Sequence, residues 1–128
     1  LVTLRLKDVE HFDVAAKFVR KLISKGILDL IPPNCLLNIN VPNIAEEEIN
    51  GVRLATSGFQ QYSEEVIERV DARGKKYYWV GGTYKGSKDI PGSDCNYVNA
   101  GYIAVDLQNL TGDGIKDKSK LEEFLNDL

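Results

Sequence analysis

One histidine and two cysteines limit the chemistry this chain can perform. Nucleophilic catalysis of the Ser-His-Asp kind would have to use His11, the sole imidazole. His11 sits beside Phe12 just ahead of a helical pattern, a position that reads as structural or exposed. Cys35 and Cys95 lie far apart and lack metal-ligand spacing, so a zinc site is not indicated. They read as two reduced thiols of an intracellular protein, and nothing in their spacing asks for a disulfide. No Gly-x-Ser-x-Gly elbow, phosphate-cradling loop or dinucleotide fingerprint occurs; Gly81-Gly82, Gly86 and Gly92 are too loosely spaced for one.

Carboxylates offer a second chemistry. Hard cations need clustered oxygen ligands. Asp89 and Asp94 bracket a Gly-Pro loop and Asp113 lies in another turn. Two of them could converge on one cation, although turn chemistry explains each as well. The run Asp71-Ala-Arg-Gly-Lys-Lys76 concentrates positive charge in Arg73, Lys75 and Lys76. It reads either as a phosphate-docking tip or as a solvated, charged turn that discourages edge pairing. Asn38 and Asn40 share one face of a strand and read as solvated, bonded to neighbouring loops, or turned toward a ligand. Glu46-Glu47-Glu48 reads as a solvated acidic run.

The elements that must position these residues follow from periodicity. Val2, Leu4 and Leu6 alternate with polar residues, as a half-buried strand does. Val14, Ala15, Phe18, Val19, Leu22 and Ile23 recur at helical spacing over about residues 13–25, with Asp13 as start cap and Gly26 as stop. Ile27 to Ile31 is a short apolar segment ended by Pro32-Pro33. Leu36 to Val41 and Gly51 to Thr56 read as strands. Residues 59–82 read as a hairpin, its arms meeting at the polar turn Asp71 to Lys76. Its second arm carries Tyr77, Tyr78 and Trp79 in succession, and consecutive strand residues face opposite sides, so one face needs a further partner. Gly81 to Gly92 reads as a loop of functional length. Ser93-Asp94 caps a short helix through Asn99, closed by Gly101. A last strand spans Tyr102 to Leu107. The turn Leu110 to Gly114 leads to an amphipathic helical tail over 117–128, with Leu121, Phe124, Leu125 and Leu128 on one stripe.

A chain of 128 residues with a net charge of −3 suits one soluble domain, and its acidic balance argues against DNA as a partner. No apolar run approaches the ~20 residues of a membrane span, and Leu1 to Leu6 is too short for a signal peptide. The expected location is cytoplasmic. The chain opens on Leu-Val-Thr-Leu-Arg-Leu without Met, as if within a strand already under way, and is expected to be a piece of a longer protein.

Several blocks follow one another in order: Leu36-Leu-Asn-Ile-Asn-Val-Pro42, Gly51-Val-Arg-Leu54, Tyr62 with Glu65-Val66, and Asp71-Ala-Arg-Gly-Lys-Lys-Tyr-Tyr-Trp-Val-Gly-Gly82. Gly92-Ser-Asp94 and Ala100-Gly-Tyr-Ile103 complete the series. Together they resemble the C-terminal half of the SurE survival-protein family. The resemblance covers nearly the whole chain. It implies an α/β class: the C-terminal part of a Rossmann-like fold with a projecting β-hairpin and a C-terminal helix. It implies a hydrolase of nucleoside 5′- or 3′-monophosphates that depends on a divalent metal, Mg or Mn. It implies a homodimer or tetramer, with Tyr77, Tyr78, Trp79 and Arg73 at the subunit contact. Ser93 and Asp94 fall in a substrate-side loop.

The family's metal ligands are an adjacent pair of aspartates, a serine and an asparagine, all upstream of the matched blocks. This sequence has no Asp-Asp pair, so none of them carries over and no metal is expected on this chain. It also departs from the family at Leu54-Ala-Thr-Ser-Gly58, at Val105-Asp-Leu107, and at Ser93, where a threonine is usual. An alternative reading is a non-catalytic module that uses the aromatic hairpin for assembly or to stack a base or sugar. Because such a phosphatase relies on its metal as Lewis acid and water activator, the purified 128-residue chain should release no phosphate from AMP in the presence of Mg or Mn. Metal-dependent release in a phosphate assay would overturn this.

Overall fold

A computed structural model describes residues 11–111, 115 and 117–128. The strand expected over Val2 to Leu6 and the turn at Gly112 to Gly114, with Asp113, lie outside the described residues. Helix α1 (Phe12–Ser24) buries Val14, Phe18 and Leu22, one side chain per turn. It begins a residue earlier than its pattern implies. His11 occupies the N-cap position, its carbonyl accepting from the Val14 N–H, while Asp13 pairs with Lys17 at 3.3 Å instead of capping. Gly26 ends the helix in the left-handed region at φ 87°, and Ile27–Leu30 form a turn of 3-10 helix that buries Ile27.

Three strands make the sheet of the body: β1 (Cys35–Asn40), β2 (Val52–Leu54) and, in the centre, β7 (Ile103–Asn109). Strand β1 runs antiparallel to β7, and β2 runs parallel to it. The register opposes Leu37 to Leu107 and Ile39 to Val105 on one face, and Asn38 to Asp106 and Asn40 to Ala104 on the other. The first face is the core. Phe18, Leu22 and Ile27 meet Ile103, Val105 and Leu107 there, together with Leu121 and Leu125 of α3 (Ser119–Asn126). Phe124 and Leu128 pack at its rim, so the expected apolar stripe of the tail is observed.

Between β2 and β7 the chain leaves the body as a long ribbon. Strand β3 (Gln60–Tyr62) pairs with β6 (Tyr84–Ser87), and β4 (Glu65–Val70) pairs with β5 (Lys76–Gly81), all antiparallel. The stretch expected as a loop from Gly81 to Gly92 therefore contains β6, and the hairpin runs to Ser87 rather than Gly82. Helix α2 (Asp94–Asn99) follows, with Ser93 as N-cap and Gly101 at φ 80° beyond its end. The turn between β4 and β5 is held by Asp71, whose carboxylate accepts from the Arg73 and Lys75 N–H groups at 2.8 Å each. Gly74 supplies the positive φ of 79°.

A cross-strand cluster stiffens the ribbon. Glu68 accepts from Lys76 at 2.7 Å and from the Tyr78 hydroxyl at 3.0 Å. Lys76 first, then Tyr78, hold the Glu68 carboxyl below the usual glutamate range. The contribution of the cluster is thus present above the unfolded glutamate pKa and is lost as pH falls through the lower, folded value. An NMR titration of the Glu68 carboxyl carbon should give a midpoint below that of free glutamate. A midpoint at or above it would remove the cluster from solution.

Candidate functional site

The root of the ribbon, the end of β1 and the start of α2 enclose a cleft of about 70 Å³. Asn40, Gln60, Tyr84, Asp94, Cys95 and Asn99 line it. Each is delivered by a different constraint. Asn40 is the last residue of β1 on the sheet's polar face. Gln60 and Tyr84 begin the paired strands of the ribbon, where Tyr84 meets Tyr62 edge-on at 5.5 Å. Asp94, Cys95 and Asn99 belong to α2.

Asp94 joins these parts. Its Oδ1 accepts from the Gly58 and Cys95 N–H groups at 2.7 Å each, and its Oδ2 accepts from Asn40 Nδ2 at 3.2 Å. Gly58 is required by this arrangement: a Cβ there would lie 2.6 Å from Asp94 Oδ1 and 2.8 Å from Cys95 Sγ. The backbone reinforces the joint, since Thr56 N–H donates to Gly92 and Asp94 N–H donates to Thr56, forming a parallel bridge between Thr56 and Ser93. Burial pushes the Cys95 thiol up, and the Asp94 charge adds to it, so Cys95 is a protonated thiol at neutral pH and a poor nucleophile.

Of the loop pair singled out in the sequence, Asp94 lines the cleft and Ser93 does not. Ser93 is fully buried, and its hydroxyl accepts from the Asn96 N–H at 3.3 Å as the helix cap. Tyr77, Tyr78 and Trp79 stand on the outer part of the ribbon with exposures of 44%, 60% and 63%, and Arg73 lies in its turn. Asn40 is bonded to Asp94, the first residue of α2, rather than to a neighbouring loop. Asp89 accepts from Asn96 Nδ2 at 2.7 Å, so Asp89 and Asp94 each hold their own protein donors. Among the described residues, no three His, Cys, Asp or Glu side chains gather as a metal site would require. Cys35 and Cys95 are free thiols.

One cluster went unread in the sequence. Asp106 is 3% exposed on the polar face of β7, where it meets Ser57, Gln108 and Lys118. Its only sequence signal was a lone carboxylate among the apolar residues of Ile103 to Leu107.

The Survival protein SurE family model matches residues 2–64. A 5′-nucleotidase SurE from Mannheimia succiniciproducens is 32% identical over 97% of this chain and 50% of its own length. A 5′-nucleotidase SurE from Myxococcus xanthus is 46% identical over 69% of this chain and 34% of its own. The crystal structure of the SurE protein from Aquifex aeolicus superposes with a TM-score of 0.64 at 30% identity, covering 95% of this chain and 49% of that one. The chain belongs to the SurE family. It spans between a third and a half of the length of these SurE relatives, and its mixed α/β fold is that of the matched part of the Aquifex SurE structure.

In this SurE chain, removing the Asp94 carboxylate strands two backbone donors. Asp94→Ala should lower unfolding free energy by about 1–3 kcal/mol in urea titrations, and Asp94→Asn, which keeps one acceptor oxygen, by less. Parental stability of the alanine variant would show that Asp94 does not hold the joint.

Proposed function

We propose that this chain is the C-terminal portion of a metal-dependent nucleoside-monophosphate phosphatase of the SurE type, contributing scaffold and an assembly surface. The observation that carries this reading is the alignment of 97% of the chain with a protein named 5′-nucleotidase, of which it spans 50%. The described residues do not gather a ligand set for Mg or Mn, so no step through a metal is assigned to them. On this reading the metal and the attacking water belong to the remaining length of such a protein. The cleft at Asn40 and Asp94 borders the substrate side, and a nucleoside monophosphate is the substrate. The setting is cytoplasmic; among the described residues, no helix is long and apolar enough to cross a membrane.

The assembly surface is the ribbon. Val66, Tyr78, Trp79 and Val80 are between 60% and 83% exposed, a concentration of apolar area typical of interfaces rather than of free surface. A homodimer or tetramer would cover it.

Two measurements test the reading. The polypeptide that carries this chain in its source should be about twice this length, because the matched relatives are. It should hydrolyse AMP only with a divalent cation; a natural product without that activity would sink the nucleotidase reading. Separately, Trp79→Ala should lower the particle mass in light scattering. An unchanged mass, together with saturable quenching of Trp79 fluorescence by nucleotide, would favour a base- or sugar-binding ribbon instead.

A further inference from the structure

Two segments project from the body or close it from outside: the ribbon and the C-terminal helix α3. They are far apart in sequence, yet both end on one buried carboxylate. Asp106 Oδ2 accepts from the Ser57 hydroxyl at 2.9 Å and from Gln108 Nε2 at 3.0 Å. Asp106 Oδ1 accepts from Lys118 Nζ at 3.0 Å, and Gln108 Nε2 also reaches Ser57 at 3.2 Å. Ser57 directly precedes Gly58, the residue Asp94 clamps at the ribbon root. Lys118 directly precedes α3, whose Leu121 and Leu125 are in the core.

A carboxylate in the centre of a sheet is costly unless ion-paired and fully hydrogen-bonded. The Asp106 side chain is 5% exposed and that of Lys118 25%. If Lys118 withdraws, the remaining charge is relieved by rotation or by entry of water. Either change disturbs the oxygen that holds Ser57. The same logic runs in reverse, because loss of Ser57 and its neighbour Gln108 weakens the seat that Lys118 occupies.

We propose that Asp106 is a positioning residue that couples the root of the ribbon to the start of the C-terminal helix, so that loosening either one loosens the other. The inference rests on the Asp106 cluster and stands apart from the proposed activity. It gives the fold a means of registering the two outer segments against each other, through a side chain that touches neither the cleft nor the exposed aromatics.

Hydrogen–deuterium exchange of the protein tests this by region. Lys118→Met, which changes a residue outside the ribbon, should accelerate exchange about fivefold or more in the root peptide covering Ala55 to Tyr62, with strand β7 unaffected. Ser57→Ala should accelerate exchange in α3, as reciprocity requires. Lys118→Arg, which keeps the cation, should restore the parental pattern. If Lys118→Met changes only α3, Asp106 holds each segment independently and the coupling is refuted. Uniform acceleration that includes β7 refutes it as well, because that reports global destabilisation. Lys118→Gln, less disruptive at a partly exposed site, supplies the same comparison if the methionine variant does not fold.

Discussion

The position of β7 between two partners governs the rest of the molecule. Its residues Ile103 to Leu107 are all buried, so both faces must be covered and both rows of backbone groups paired. Alternation then divides the work. Ile103, Val105 and Leu107 meet α1 and α3 in an apolar core, while Ala104 and Asp106 point to the opposite face. Ala104 lies beside Asn40 in the sheet, and α2 packs against β7. Asp106 is tolerated because a lysine, a serine and a glutamine surround it. The sheet thus has a hydrophobic face that stabilises it and a polar face that carries specific contacts.

The mixed pairing of β7 also explains the ribbon. Strand β2 lies parallel to β7, and parallel neighbours cannot be joined by a tight turn. The chain must leave the sheet after Leu54 and return at Ile103. It uses that obligatory excursion to build β3 to β6 and then α2. A two-stranded ribbon is marginal in water without a covering layer. Here the Asp71 turn, the Glu68 cluster and the Asp94 joint stiffen it from within. None of these covers Trp79, Val80 or Val66, which stay exposed on the same element that satisfies the topological need.

What could be read in the sequence was what local chemistry determines. The spacing of Val14, Phe18 and Leu22 announced α1, and Ser93 with Gly101 announced both ends of α2. The Asp71 to Lys76 turn between Val70 and Tyr77 announced the hairpin. Strand β6 was missed because Tyr84 to Ser87 carries no alternation or β-branched residue; its pairing is imposed by β3 across the ribbon. The cap at His11 was missed because Asp13 found a better partner one turn on, in Lys17. The Asp106 cluster joins residues 49 and 12 positions away, and no local pattern encodes such contacts. The cleft was half legible: Asp94 was singled out, but Asn40 and Gln60 reach it only through the fold.

Most of the hydrogen-bonding capacity of Asp94 is taken up within the protein. A carboxylate offers about four acceptor positions, and three are filled here by Gly58, Cys95 and Asn40. Ser93, its neighbour, has its hydroxyl buried and committed to the helix cap. That leaves one acceptor position, on Asp94, so most of what the two side chains do is internal to the fold. Their effect is instead geometric. They fix where β1 ends, where the ribbon departs and where α2 begins, and so determine the shape of the cleft that Asn40, Gln60 and Tyr84 present.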